Sequence, residues 1–116
     1  MGGGCWLDPE TLGYYKSTAA GTAELAYTVP TGYKVQLFRI LVGSTAATID
    51  VEVYADTGGT TYDNTTRVAG FKAGFVANEQ QVIDLGGLVL PAGTNIAIKA
   101  GDTNARFSII GRKKPT

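Results

Sequence analysis

The side chains that could perform catalysis are few and scattered. The chain contains no histidine, which is the commonest general base and a frequent metal ligand. Its single cysteine, Cys5, therefore has no histidine to activate the thiol. Asp50 and Glu52 would lie on one face of a strand and could form a glycosidase pair, but alternate acids on a strand usually make a solvated face. These residues predict that the protein is not an enzyme and has no catalytic site.

One loop carries oxygen ligands suited to calcium. Residues 56–66, with the sequence DTGGTTYDNTT, include Asp56, Asp63 and Asn64, which are hard oxygen donors. Their spacing fits no EF-hand, and Asp and Asn also shape tight turns. We therefore predict no metal and no cofactor, and calcium at this loop remains the alternative to test.

Tyrosines and a basic terminus could bind other molecules. Tyr54, out of phase with its strand's apolar face, and Tyr62 could stack on sugars or bases, or could be partly covered interface residues. Arg112, Lys113 and Lys114 could touch nucleic acid, but three charges bind weakly. Ten basic residues balance ten acidic ones, and no apolar run approaches the ~18 residues of a membrane span. We expect no nucleic-acid partner and no membrane contact.

The elements that would hold these side chains are short strands. Apolar residues alternate from Ala23 to Val29, and Pro30-Thr31-Gly32 then turns the chain. In the next strand the apolar phase reverses, which predicts a β-bulge near Leu37–Phe38 or a strand buried on both faces. Gly, Pro, Asp and Asn turns separate about eight such strands, and no amphipathic helix appears. The pattern predicts an all-β fold, a single antiparallel jelly-roll-like β-sandwich.

The period-2 pattern also predicts the strands and the core. Strands are expected at 23–29, 33–42, 48–55, 68–76, 81–85, 88–90, 94–100 and 105–110. Gly86-Gly87 is expected to separate the strand at 81–85 from the strand at 88–90. The expected core residues are Leu25, Tyr27, Val35, Ile49, Val51, Val53, Phe71, Phe75, Ile96, Ile98, Phe107 and Ile109.

The chain divides into three parts by composition. Residues 1–21 show no sustained period and are predicted to be an irregular N-terminal arm, residues 22–111 the sandwich, and residues 112–116 a basic tail. Trp6, Tyr14 and Tyr15 are large aromatic residues in that arm, and we predict that they bind a partner. The arm is expected to contribute little to the fold and much to attachment.

The stretch YTVPTGYKVQLFRILVGSTAATIDVEVYA, followed by VIDLGGLVLPAGTNIAIKAGDTNARFSIIG, resembles small jelly-roll-like β-sandwich proteins of bacteriophage virions. These are head decoration or cement proteins and related tail or fibre modules, and the likeness covers residues 23–111. The resemblance carries no site motif, so no functional residue is transferred from it.

That resemblance implies a non-enzymatic virion protein that binds and stabilises the outer surface of a phage head. Its partners would be the major capsid protein or other virion proteins, and it would act on the capsid surface after synthesis in the host cytoplasm. A homo-oligomer, with a trimer favoured, is expected because closed symmetric assemblies are the usual outcome for soluble oligomers. The alternative is a carbohydrate-binding sandwich module of a phage tail or fibre or of a secreted protein, with Tyr54 and Tyr62 as its stacking residues.

Overall fold

The computed structural model describes residues 5–44, 50–71, 80–101, 103 and 105–116, with the backbone only of Phe71. Within these residues every regular element is a β-strand. The eight strands are β1 (Glu10–Lys16), β2 (Glu24–Thr28), β3 (Tyr33–Gly43), β4 (Val51–Thr57), β5 (Arg67–Phe71), β6 (Gln80–Leu90), β7 (Thr94–Ala100) and β8 (Arg106–Pro115).

The strands form two four-stranded sheets. The sheet we call the front sheet has the order β1-β8-β3-β6, and the back sheet has the order β2-β7-β4-β5. All neighbouring strands are antiparallel. This strand order is that of a jelly roll, in which two Greek keys form a double sheet. The predicted all-β, jelly-roll-like sandwich is confirmed.

The core lies between the inner faces of the two sheets. Most of the predicted core residues that are described are buried, namely Val35, Val51, Val53, Ile96, Ile98, Phe107 and Ile109. The sequence reading missed other buried residues, including Val29, Leu37, Ile40, Val42, Ile83 and Leu90. Ile49, Phe75 and the side chain of Phe71 lie outside the described residues.

The prediction that Leu25 lies in the core is wrong. Leu25 is 48% exposed, because the pairing of β2 with β7 shifts register between Leu25 and Tyr27. The extra residue reverses which face each side chain occupies. Tyr27 is half-buried and packs against the core as predicted.

The two Pro-x-Gly turns lie together at one end of the sandwich. Pro30-Thr31-Gly32 joins β2 to β3 and Pro91-Ala92-Gly93 joins β6 to β7, so each turn carries the chain from one sheet to the other. Both glycines have positive φ, 86° and 82°, which glycine adopts without strain. The amide of Val29 donates to Thr94 O at 2.9 Å, and that of Gly93 donates to Val29 O at 3.0 Å. The similar sequences therefore make equivalent, hydrogen-bonded crossings.

The prediction of an irregular arm is wrong for residues 10–16. They form β1, an edge strand of the front sheet that pairs with β8. Leu12 and Tyr15 pack against the core. The register shifts between Thr11 and Gly13, and this bulge interrupts the alternation that would have marked the strand in the sequence.

Two other predicted boundaries are also wrong. Gly86 and Gly87 do not end a strand, because β6 runs from Gln80 to Leu90 and these glycines adopt φ of 64° and 85° within it. The basic tail is not separate either, since β8 continues to Pro115 and pairs with β3 as far as Tyr33. Both strands are longer than their apolar runs because backbone pairing, and not side-chain pattern, defines their ends.

Candidate binding face on the front sheet

A cross-strand row on the outer face of the front sheet, which we call the apolar row, has apolar side chains on three strands and a serine on β8. Tyr14 on β1 lies opposite Ser108 on β8, Ser108 lies opposite Leu41 on β3, and Leu41 lies opposite Val82 on β6. Tyr14 is 77% exposed and Val82 is 52% exposed. Because the row points away from the core, it offers apolar area to a partner without unfolding any strand.

Basic side chains surround this row on the same face. Alternation along each strand places the following cations outward, on the face opposite to the buried residues: Lys16, Lys34, Arg39, Arg106, Arg112 and Lys114. Among the described strand residues that share this outward phase, Asp84 supplies a carboxylate, which accepts the Gly86 amide at 2.8 Å. The face is therefore strongly basic in a chain whose formal net charge is zero.

Trp6 lies over one end of this face. Its ring centroid is 4.9 Å from Cζ of Arg112 and 5.9 Å from Nζ of both Lys34 and Lys114. Lys34 and Lys114 are opposite each other on β3 and β8, so strand register brings them together. Cations within about 6 Å of an indole face are attracted by its quadrupole. We call Trp6, Lys34, Arg112 and Lys114 the Trp6 patch.

Strand irregularities fix the position of Arg112. Phe38 is the extra residue of the bulge between Leu37 and Arg39, as predicted, and its ring centroid lies 5.6 Å from Cζ of Arg112. Nε of Arg112 donates to Gln36 Oε1 at 2.8 Å, and Gln36 Nε2 donates to Gly87 O at 3.1 Å. A Cβ at Gly87 would approach Gln36 Nε2 to 2.9 Å, so glycine leaves room for this amide.

Around Tyr54, the outer face of the back sheet is covered by the chain itself, whereas Leu25 on β2 is exposed. Tyr54 lies in the outward phase of β4 but is only 4% exposed. The Tyr62 ring packs on it with centroids 6.3 Å apart. Asn95 Nδ2 donates to Gly59 O at 2.7 Å, which ties the loop that carries Tyr62 to β7. Because Tyr54 is buried, the carbohydrate-binding alternative loses one of its two stacking residues.

Glu52 is held in an ionised state on this back face. Its carboxylate accepts hydrogen bonds from the Tyr54 hydroxyl and from Arg67, and Nζ of Lys99 lies 4.0 Å away. The Tyr54 hydrogen bond outweighs partial burial, and the pKa of Glu52 is lowered. Burial, followed by the Glu52 carboxylate, raises the pKa of Tyr54 to about 12. A glycosidase acid needs a raised pKa, so Glu52 is unsuited to that role.

The carboxylates of the 56–66 loop are engaged in turn geometry. Asp56 accepts the Thr61 amide at 2.8 Å, and Asp63 accepts the Thr65 amide at 2.8 Å and the Thr65 hydroxyl at 2.6 Å. Within the described part of the chain, no three acidic or cysteine side chains come together as metal ligands. The loop uses its acids to stabilise turns, as Asp commonly does.

Glu24 connects the two sheets at the start of β2. It accepts hydrogen bonds from the Tyr15 hydroxyl at 3.2 Å, the Ser17 hydroxyl at 2.9 Å and the Thr18 amide at 2.9 Å, and also from the Thr18 hydroxyl. Burial alone would raise the pKa of Glu24, but these donors together outweigh it and the pKa is lowered. The network fastens the end of β1 to the back sheet.

The three aromatic residues predicted as anchors do not form one patch. Trp6 is half-buried under its ring of cations, and Tyr14 is almost fully exposed in the apolar row. Tyr15 points inward and packs against the core, so it is not an exposed anchor. That Trp6 and Tyr14 bind a partner stays a prediction.

Sequence reasoning missed the other members of the Trp6 patch. The sequence pattern marks Lys34 only as a strand residue, and it offers Arg112 and Lys114 only as a basic tail that could touch nucleic acid. The available signal was the phase reversal at Phe38, since a bulge turns two consecutive side chains, Phe38 and Arg39, to the same face. The pairing of Lys34 with Lys114 depends on strand order and was not visible in the sequence.

Comparisons of the chain with protein-family models, with curated proteins and with solved structures found no match. None of the residues that the structure describes belong to a helical segment with the length and hydrophobicity of a membrane span. The chain's own surface must therefore carry any argument about its function.

Proposed function

We propose that this protein is a non-enzymatic structural protein of a phage virion that binds the outer surface of the head and stabilises it. The outer face of the front sheet is its attachment surface. The partner is the major capsid protein or another virion protein, and the protein occupies the capsid surface after synthesis in the host cytoplasm.

The observation that supports this proposal best is the contrast between the sandwich's two outer faces. The chain covers Tyr54 on the back sheet with its own loop, whereas Tyr14 and Val82 on the front sheet remain open. Contiguous exposed apolar groups with a polar rim are typical of interaction surfaces. An attachment protein needs such a surface and needs no reactive group.

The composition of the front face also supports a protein partner. Aromatic residues and arginine are enriched at interfaces between proteins, and this face contains Trp6, Tyr14, Arg39, Arg106 and Arg112. A chain with zero formal net charge can coat a shell densely without strong repulsion between copies. On a symmetric shell, repeated weak contacts add through avidity.

The proposal includes a homo-oligomer on the shell, with a trimer favoured. Closed symmetric assemblies are the usual form of soluble oligomers, and the edge strands β1 and β6 of the front sheet have unpaired backbone groups that would be available for lateral contacts. Native mass spectrometry of protein released from particles should detect the trimer. A species that remains monomeric at high concentration on and off the shell would contradict this part of the proposal.

Sedimentation with particles tests the proposed function. Phage particles released from cells that produce this chain are purified on a density gradient, and the chain is located by antibody and gold label. We expect the chain in the particle fraction, with label on the outer surface of the head. Absence from every particle fraction, or label confined to the tail, would contradict the proposal.

A pair of matched variants then tests the face. Leu41→Lys places a charge in the apolar row of the front sheet, and we expect it to reduce particle occupancy by at least about tenfold, since one disrupted anchor costs about 2 kcal/mol. Leu25→Lys changes a 48% exposed leucine on the back sheet and should leave occupancy unchanged. Equal losses for the two variants would exclude the front face as the attachment surface.

A further inference from the structure

The Trp6 patch concentrates positive charge without compensating carboxylates. Lys34, Arg112 and Lys114 all lie within 5.9 Å of one ring centroid. None of the three forms an ion pair with a carboxylate of the described residues. Neighbouring Lys113, in contrast, pairs with Glu10 at 3.6 Å. The three cations repel one another, so an anionic group placed between them would be favourable.

Arg112 is oriented in advance for such a group. Gln36 Oε1 accepts a hydrogen bond from Nε of Arg112, and Cζ of Arg112 lies 4.9 Å from the Trp6 ring centroid and 5.6 Å from that of Phe38. The hydrogen bond to Gln36 uses the Nε donor of Arg112, and the two terminal nitrogens of Arg112 have no acceptor among the described residues. A planar guanidinium with these donors available matches the two oxygens of a carboxylate.

We infer that the Trp6 patch is a binding site for carboxylate side chains, and that its occupant is an acidic segment of a partner protein. Arg112 would bind one carboxylate through its terminal nitrogens. Lys34 and Lys114 would hold adjacent acids, and the Trp6 indole would cover their methylene groups.

The surroundings of the patch favour a polypeptide over a nucleic acid. Val89 on β6 lies opposite Gln36 on β3 and is 47% exposed. Leu7 is also 47% exposed, and it is adjacent to Lys113 on β8. Aliphatic side chains pack against other side chains, whereas single-stranded nucleic acid is held by aromatic rings on which bases stack. Trp6, the aromatic ring of the patch, already has three cations against it.

This inference deepens the proposed function and rests on it for the identity of the protein that carries the carboxylates. The complementary surface on the shell would be acidic. The binding site itself can be tested on the isolated chain, without particles.

Tryptophan fluorescence provides a direct test, because Trp6 is the only tryptophan. The full chain is titrated with a hexaglutamate peptide at low salt. We expect a saturable change in Trp6 emission, which disappears in about 1 M salt because the Debye length there is about 3 Å. A hexaglutamine peptide should cause no change. No saturable change with hexaglutamate, or equal changes with both peptides, would overturn the inference.

Variants assign the site to its residues. Arg112→Gln should weaken hexaglutamate binding by about tenfold, the equivalent of about 1.4 kcal/mol. Arg112→Lys, which keeps the charge but loses the planar fork, should recover only part of that loss. Lys99→Gln, on the back sheet, should bind like the parent chain. If Lys99→Gln loses as much affinity as Arg112→Gln, the effect is one of overall charge and the assigned site is wrong.

Competing ligands separate the sources of negative charge. A hexathymidylate oligonucleotide should bind more weakly than hexaglutamate, and inorganic phosphate more weakly still. If the oligonucleotide binds more tightly than hexaglutamate, the patch is a nucleic-acid site and the inference is wrong. If inorganic phosphate binds as tightly as the peptide, the patch is a small-anion site and the inference is also wrong. If the chain does not bind hexaglutamate but binds particles normally, this inference alone is refuted. If the chain binds hexaglutamate but does not bind particles, only the proposed function is refuted.

Discussion

On the back sheet the chain covers its own outward tyrosine, whereas on the front sheet it leaves one open. Tyr54 and Tyr14 both point away from the core on their strands, yet their exposed fractions are 4% and 77%. The difference comes from the loop that carries Tyr62, which packs on Tyr54 and is tied to β7 through Asn95. The front sheet has no equivalent cover among the described residues.

The charges on the two faces differ in the same way. On the back sheet, Glu52 is surrounded by Tyr54, Arg67 and Lys99. On the front sheet, the cations around Trp6 have no carboxylate partner among the described residues. A face whose polar groups pair within the chain needs no partner to satisfy them. A face with unpaired cations is suited to binding a partner. The contrast supports the proposal that the front sheet, and not the back sheet, is the attachment surface.

The largest effect should come from removing the edge strand of the front sheet. Deletion of residues 1–16 removes β1, uncovers the edge of β8, and eliminates the packing of Leu12 and Tyr15. We expect the free energy of unfolding to fall by about 3 kcal/mol or more, because both apolar burial and a strand ladder are lost. Urea denaturation followed by circular dichroism measures this loss.

The control for that deletion is a chain that lacks only residues 1–5 and keeps Trp6 and β1. It should unfold at nearly the same urea concentration as the full chain. A full 1–16 deletion that is equally stable would show that β1 is a dispensable arm, as the sequence alone suggested.

A smaller effect should follow from opening the back face. Tyr62→Ala removes the ring that covers Tyr54 and should destabilise the fold by about 2 kcal/mol, less than the loss for a fully buried aromatic. Tyr62→Phe is the matched control. The Tyr62 hydroxyl is buried without a hydrogen-bond partner among the described residues, so its removal should be neutral or slightly stabilising. If Tyr62→Phe is less stable than the parent chain, the statement that the Tyr62 ring alone stabilises the back face is wrong.

The link between the sheets should depend on pH. The pKa of Glu24 is lowered in the folded state, so its stabilising contribution is fully present above the unfolded-state pKa of 4.5 and is lost as pH falls through the folded-state pKa. Glu24→Gln should cost about 1 kcal/mol at neutral pH and should flatten the decline in stability below about pH 5. If the thermal unfolding midpoint of Glu24→Gln falls with pH as steeply as that of the parent chain, other acidic residues account for the loss of stability at low pH.

The smallest effect on stability should come from the exposed tyrosine of the front face. Tyr14→Ala removes a side chain that is 77% exposed, so the free energy of unfolding should change by less than about 0.5 kcal/mol. Occupancy on particles should nevertheless fall. A stability loss comparable to that of Tyr62→Ala would mean that Tyr14 is structural, and the distinction between the two faces would fail.

Local patterning made much of the sandwich predictable. Alternation placed Val51 and Val53 in the core, and the reversed phase at Phe38 predicted the bulge that the strand register shows. The Pro-x-Gly sequences marked two turns whose glycines have positive φ. In each case the signal lies within a few residues of the feature that it predicts.

Strands with irregular alternation, and features that depend on distant residues, were not predictable. β1 was missed because its bulge at Leu12 interrupts the alternation. Tyr54 is buried by a ring from another segment, and Lys34 meets Lys114 only through the pairing of β3 with β8. A formal net charge of zero also concealed the basic front face, since a sum carries no information about which side each charge occupies.

Hydroxyl-radical footprinting of the chain on purified particles tests the central claim most directly. Oxidation of each side chain is measured by mass spectrometry in the free protein and in the particle-bound protein. The account predicts that Tyr14, Trp6 and Val82 become protected on the particle, while Leu25 on the back sheet reacts as it does in the free chain. Protection of Leu25 with unchanged oxidation of Tyr14 and Val82 would contradict it and make the back sheet the attachment surface.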